Sequence, residues 1–219
     1  MKAVVVCGPW GSGTTAVTRL LVGLGCLDVQ PHFITNDPKT GSSYENIAFR
    51  QIVLDLVDEN TVSLNEDKAH LAAARLLQFR ENLERICKAY GIAIDRAPIV
   101  LKHASSCLLI QHLSSVFCAK FVFVERNVCE IESGRIRRGW ASIYGREGAS
   151  RIYEIMGSYD GSTNLDIHKI KYSDLLERPD REAEGLARFC DLDFSKAAIN
   201  KALAPIRSHQ NYAILQRKS

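Results

Sequence analysis

The chain is short of several things that would have fixed its class at once. No two of its seven cysteines (Cys7, Cys26, Cys87, Cys107, Cys118, Cys129 and Cys190) are spaced as CxxC, and the count is odd. That pattern argues against a structural zinc site or a disulfide framework and fits reduced thiols in a cytoplasmic protein. No run approaches the roughly 18 apolar residues that a membrane span requires. The apolar opening, Ala3–Cys7, is too short for a signal-peptide core and is followed by no cleavage site. Internal repeats, low-complexity tracts and linkers are missing too. A net charge of +3 is too small to imply nucleic acid or a membrane as partner. With 46% apolar and 24% charged residues over 219 positions, the expectation is one globular domain spanning 1–219.

What is present is an alternation of strand and helix signals. Lys2-Ala-Val-Val-Val-Cys7 is a continuous, largely β-branched run, as in a strand buried on both faces of a parallel sheet. Ala16, Val17, Leu20, Leu21 and Leu24 then recur at helical spacing, with Gly25 as the stop. Pro98–Lys102, Lys120–Glu125 and Asp166–Tyr172 read as further strands. Helices are expected near 45–58, 67–90, 105–117, 128–139, 147–157, 173–177, 180–190 and 195–203. Residues 28–44, rich in Pro, Asp, Asn, Gly and Ser, read as a long ordered loop or lid. The expected class is α/β, with a mostly parallel central sheet of about 4–5 strands flanked by helices.

Between the first strand and the first helix lies Gly8-Pro-Trp-Gly-Ser-Gly13-Thr14-Thr15, with the spacing of a phosphate-binding loop. Glycines there let successive amide N–H groups converge on one anion, and the following helix adds the positive end of its dipole. Position 14 is informative. An ATP- or GTP-hydrolysing enzyme carries lysine there to reach the terminal phosphates, and this chain has Thr14. The anion cradle is kept while the phosphoryl-transfer lysine is lost.

At this point the sequence resembles the sulfotransferases that use 3′-phosphoadenosine 5′-phosphosulfate. Gly8, Ser12, Gly13, Thr14 and Thr15 match that family's GxP(R/K)SGTT loop, and Thr18–Gly25 is similar to the leucine-rich helix behind it. Asn36–Asn46 resembles the PxNPxGxxEN stretch of bacterial members, and Val100–His103 the IKDP or PKTH segment. Phe121–Asn127 is similar to the strand ending in Arg-Asn-Pro, and Ile170–Pro179 to the YEDLLxxP closure. The blocks are collinear from residue 3 to about 207.

The resemblance implies a three-layer, P-loop-type fold and a cytoplasmic transferase. It would move a sulfuryl group to a hydroxyl or amine of a small molecule or glycan, with no nucleic acid, membrane or metal required. The acceptor would be shaped by 28–95 and 140–160. The implied donor-binding residues are Gly8, Gly11, Ser12, Gly13, Thr14, Thr15, Arg126, Ser133 and Arg207, with Arg126 and Ser133 on the 3′-phosphate. Lys102 is the candidate for neutralising charge on the transferred group. His103 and Glu45 compete as general base, and alternation along an extended segment places Lys102 and His103 on opposite sides.

The departures are specific. Gly11 stands where the family has a basic residue, and Val128 replaces the proline after Asn127. The family serine falls at Gly134, with Ser133 one step short, and one helical step rotates a side chain by about 100°. Trp10 replaces the loop proline and can pack against ligand or core. Arg135, Arg137 and Arg138 form either a solvated face or an anion contact. Two other readings follow: a nucleotide-holding protein without transfer activity, favoured by Gly11, and a small-molecule kinase, disfavoured by Thr14.

Overall fold

A computed structural model describes residues 1–35 and 42–205. In chain order the elements are β1 (Lys2–Cys7), α1 (Thr14–Gly23), β2 (Leu27–Asp28), β3 (His32–Ile34) and β4 (Ser42–Asn46). Next come α2 (Ile47–Leu56), β5 (Val57–Asp58), β6 (Ser63–Leu64), α3 (Glu66–Ala69), α4 (Ala72–Ala89) and β7 (Ile99–Lys102). A 3-10 turn at Ala104–Leu109 leads into α5 (Ile110–Val116), β8 (Cys118–Glu125) and α6 (Val128–Arg138). A second 3-10 turn (Ser142–Tyr144) precedes α7 (Arg146–Gly157), β9 (Asp166–Lys171), α8 (Tyr172–Glu177) and α9 (Pro179–Phe189). A last helical stretch covers 196–205.

The main sheet has five strands in the order β2-β7-β1-β8-β9, and every pairing in it is parallel. Along β1 the side chains divide by parity. Ala3, Val5 and Cys7 join a core with Ile99, Leu101, Phe121 and Phe123, covered by α2, α4, α5 and α7. Val4 and Val6 join Val100, Val122, Val124 and Ile170 under α1, α9 and the last helix. Both faces are therefore dry, which is why β1 reads as an unbroken apolar run. The result is helix, sheet, helix: a three-layer α/β domain.

The chain runs from β1 outward to β2 and β7 on one side, then crosses back to β8 and β9 on the other. The order reverses at β1, so the carboxyl ends of β1, β7 and β8 surround a topological switch point, where α/β sheets hold their ligands. The glycine loop follows β1, Lys102 is the last residue of β7, and Arg126 follows β8.

Several expectations need correction. The expected loop at 28–44 contains the antiparallel pair β3–β4, in which His32 faces Asn46 and Ile34 faces Ser42. The expected helix at 67–90 breaks at His70–Leu71 into α3 and α4, and the one at 105–117 starts as a 3-10 turn. The edge strand β2 and the β5–β6 hairpin, two residues per strand, were not anticipated. Such short strands carry no periodicity to read. Residues 36–41 of the matched segment and Arg207 lie outside the described residues. Among the described residues no helix is long and apolar enough to cross a membrane.

Candidate functional site

The loop that follows β1 is held by contacts that only glycine permits. Gly13 has φ of 103°, and a Cβ there would overlap the ring of Tyr172, which packs directly against it. It is the N-cap of α1, supplies no side-chain cap, and the first turn of the helix has no acidic residue. The amide N–H groups of Gly13, Thr14 and Thr15 have no hydrogen-bond partner among the described residues. Orphan donors at a helix start are an anion site in waiting. The buried Ser12 hydroxyl is also unpartnered, so the loop carries donor capacity that the fold itself does not use. On these grounds the residues present fit a phosphate- or phosphosulfate-bearing nucleotide.

Beside the loop, the ammonium of Lys102 uses all three of its protons. It donates to Thr15 Oγ1 at 3.2 Å, to the Ser43 carbonyl at 2.9 Å and to Glu45 Oε1 at 3.0 Å. Lys102 is buried and Glu45 nearly so, and Arg50 Nε lies 3.4 Å from the other Glu45 oxygen. Burial pushes the Glu45 carboxyl up, but Lys102 and Arg50 outweigh it and hold the group below its ordinary range. Arg50 in turn lies over the ring of Phe33, 4.3 Å from its centroid. The structure thus brings Lys102, Glu45 and Thr15 together around the loop.

β4 is bent to make this possible. Tyr44 sits at φ of 58°, a left-handed conformation that costs a non-glycine residue about 1–2 kcal/mol. Side-chain turns sustain it. The amide of Tyr44 donates to Ser42 Oγ, that of Glu45 donates to Ser43 Oγ, and Ser43 Oγ donates to the Phe33 carbonyl. Strain of this kind, held beside a buried cation, is a mark of functional segments.

His103, the next residue, takes different hydrogen-bond partners from Lys102. It is buried, and its Nδ1 accepts from the amide of Ser105, capping the 3-10 turn. That leaves the proton on Nε2, which faces Glu59 Oε1 at 3.6 Å. Burial lowers its pKa to about 4, so the ring is neutral near pH 7. Burial raises the Glu59 carboxyl above its ordinary range, and Glu59 also pairs with the Tyr144 hydroxyl.

Trp10 packs edge-on against Tyr144 at 4.8 Å and would crowd any side chain at Gly148, so it docks the loop onto the start of α7. It belongs to the border of the core. Gly8 approaches the end of β8 so closely that a Cβ would lie 2.6 Å from the Val124 carbonyl.

Across the loop, Arg126 donates from Nη1 to the Gly11 carbonyl at 3.1 Å and from Nε to Glu130 at 2.8 Å. Its guanidinium lies over Tyr172, 4.9 Å from the ring centre. A cation thus reaches the loop at Gly11, where no basic side chain stands. Tyr153 fixes the backbone here, its hydroxyl accepting from the Arg126 amide at 2.7 Å and donating to the Arg126 carbonyl at 2.9 Å. Nothing in the sequence marked Tyr153, because an isolated tyrosine in a helix reads as core. Ser133 is exposed, and its hydroxyl donates to the Cys129 carbonyl at 2.8 Å. Arg135 is committed to Glu132 and to the Trp140 carbonyl, so that part of the basic cluster is structural.

Among the described residues no group of three or more His, Cys, Asp or Glu side chains is placed to hold a metal ion. All seven cysteines are free thiols.

No protein-family model and no curated protein sequence matches the chain. Among solved structures it is similar to the sulfotransferase domain from the Synechococcus PCC 7002 olefin synthase, at 16% identity and a TM-score of 0.57. That likeness covers 94% of this chain and 80% of the other. It is also similar to sulfotransferase STF9 from Mycobacterium avium, at 10% identity and a TM-score of 0.57, over 94% of this chain and 68% of that one. The chain therefore has the fold of sulfotransferase domains. At such identities the likeness is one of architecture, and the chemistry has to be argued from the site.

Proposed function

We propose that the protein is a sulfotransferase that uses 3′-phosphoadenosine 5′-phosphosulfate and a hydroxyl- or amine-bearing small molecule or glycan. The observation that carries this reading is the buried Lys102 ammonium, hydrogen-bonded to Thr15 beside a loop whose free amides await an anion. The donor, when bound, supplies a transferable sulfuryl group on a phosphate leaving group. The amides of Gly13, Thr14 and Thr15 would hold its 5′ end. The Lys102 ammonium sits in a water-poor setting, where a cation stabilises negative charge on oxygen far better than at a surface. Gly8 and Gly11 shape the loop around that point.

Of the two candidate bases, Glu45 is an ionised carboxylate at the loop, whereas His103 is buried and spends Nδ1 on a cap. On these grounds Glu45 is the better candidate to receive the acceptor's proton, oriented by Arg50 and Lys102. The exposed Phe33 and Ile34 on β3 form an apolar border to the acceptor side.

Thermal unfolding followed with adenosine 3′,5′-bisphosphate, and separately with ATP and magnesium, tests the ligand class. A bound ligand raises the midpoint according to its occupancy. Stabilisation by the bisphosphate alone supports the reading, and stabilisation by ATP with magnesium alone replaces it with a kinase. Sulfuryl release from the donor that disappears in Lys102→Ala supports transfer. Binding with no release under any acceptor leaves a nucleotide-holding protein.

A further inference from the structure

A cavity of about 280 Å³ is lined by Glu125, Arg126, Asn127, Glu130, Lys171 and Ser173, and its Arg126 also reaches the Gly11 carbonyl of the glycine loop. It lies where β8 and β9 end together, since Glu125 pairs with Lys171 in the sheet register. Its cations and anions are unequally engaged. Glu130 is bound to Arg126, and Glu125 has Lys169 at 3.9 Å. The Lys171 ammonium makes no hydrogen bond or ion pair among the described residues, and neither does the Ser173 hydroxyl. Arg126 is anchored through Nη1 and Nε, leaving Nη2 without a partner among the described residues. The Asn127 side chain accepts from the Cys129 amide through Oδ1, which turns its own amide group into a spare donor.

Four unspent donors from two adjacent strand ends thus meet on one cavity, while Ser133 spends its hydroxyl on its own helix. We propose that a phosphate monoester on the nucleotide's ribose is bound here by Arg126, Lys171 and Ser173, with Asn127 at the rim, and that Ser133 takes no part. The proposal rests on the chain being a binder of a 3′-phosphorylated nucleotide. It replaces the helix serine with a lysine and a serine that flank Tyr172 at the end of β9. Such a site is geometrically economical. Tyr172 already touches both Gly13 and the Arg126 guanidinium, so the segment carrying Lys171 and Ser173 is fixed against the loop that takes the 5′ end. The phosphate has to compete with Glu130 for Arg126. That pair is a solvent-exposed bridge to the first turn of α6, the kind that yields readily.

Calorimetric titration of the full chain with adenosine 3′,5′-bisphosphate and with adenosine 5′-monophosphate isolates the 3′-phosphate, because the ratio of the two Kd values cancels everything else. The native chain is expected to prefer the bisphosphate by at least tenfold. Lys171→Ala should cut that preference by about tenfold, the worth of one charge-assisted hydrogen bond. Ser173→Ala should cut it by about threefold, with monophosphate affinity unchanged in both. Lys171→Arg should keep the preference, which guards against a general disturbance of the fold. Ser133→Ala should behave as native. A preference that survives Lys171→Ala, or that falls equally in Ser133→Ala, overturns the proposal while leaving nucleotide binding intact. Failure of the native chain to bind either nucleotide overturns both this proposal and the functional reading beneath it.

Discussion

Lys102 ends one strand that neighbours β1 and Arg126 follows the other, one on either side, and both are cations that contact the same loop. Their surroundings differ sharply. Lys102 is 6% exposed, and every proton of its ammonium is bound by Thr15, Ser43 or Glu45. The Arg126 side chain is 30% exposed, shares its fork with a solvated glutamate and faces an open cavity. Burial makes the first arrangement expensive to disturb, because an ion left unpaired away from water costs several kcal/mol. Exposure makes the second tolerant of exchange, since water replaces any partner that is lost. Under the proposed function, the part of the site that would govern charge at the reacting group is fixed, and the part that would grip the far end of the nucleotide is free to be rebuilt.

The largest effect that would test this contrast is expected from Lys102→Met. Glu45 would then be left with Arg50 alone, and the domain should lose about 3 kcal/mol in urea unfolding. Turnover of the phosphosulfate donor should fall by at least about a hundredfold. Adding Glu45→Gln removes the orphaned charge, so the double variant should regain most of the stability and none of the activity. If the single variant were as stable as the native chain, the claim of a tightly coupled buried pair would be wrong.

His103 belongs to the same buried layer, and its effect appears on the pH axis. The native group titrates at about 4, against about 6.5 in an unfolded chain. Between those values the unfolded state binds a proton that the native state refuses, so stability falls as pH drops from about 6.5 to 4. The full span amounts to about 3 kcal/mol. Glu45, Glu59, Lys102 and Arg50 all face this ring and modulate it. His103→Asn keeps an acceptor for the Ser105 amide and removes the titration. Its urea midpoint should therefore depend less on pH than the native one, by a margin that is widest near pH 4. Equal slopes for the two proteins would show that the ring is protonated in the fold.

The two regions also differ in how well the sequence announced them. The glycine loop, the strand before it and Lys102 were legible because burial on both faces forces unbroken apolar runs, and a close approach to backbone forces glycine. The Lys102–Glu45 pair was half legible. Both residues were candidates, but their meeting depends on Tyr44 in a left-handed conformation and on a hairpin where a loop was expected. On the Arg126 side the sequence named the arginine and then pointed to Ser133, which the structure turns back on its own helix. Lys171, Ser173 and Tyr153 gave no signal, because an exposed lysine, a serine at a helix start and a tyrosine in an amphipathic helix are commonplace. Sheet register brings Lys171, with Ser173 two residues on, to the end of β8, and the packing of α7 brings Tyr153 to the Arg126 backbone.

Tyr153→Phe sharpens the comparison from the exposed side. The hydroxyl serves both backbone groups of Arg126, so its loss leaves a donor and an acceptor half-buried and unpaired, at a cost of about 1–2 kcal/mol. The expected functional effect is selective. Bisphosphate affinity should fall by about threefold as Arg126 loses its fixed origin, and monophosphate affinity should not change. A matching fall for both nucleotides would mean that Tyr153 supports the loop and not Arg126.

The smallest expected effect is the most direct measure of how loosely the Arg126 side is held. Glu130 competes for the guanidinium through an exposed bridge from the first turn of α6, and exposed pairs contribute about 0.2–1 kcal/mol. Glu130→Gln should therefore tighten bisphosphate binding by only about twofold at low salt. The gain should vanish near 1 M salt, where the Debye length is about 3 Å. Glu45→Gln makes the opposite case, because a buried partner is shielded from salt and its removal should cost activity at every ionic strength. If Glu130→Gln instead improved binding by more than tenfold, Arg126 would be as firmly committed as Lys102. The distinction between a fixed side and a rebuildable side would then fail.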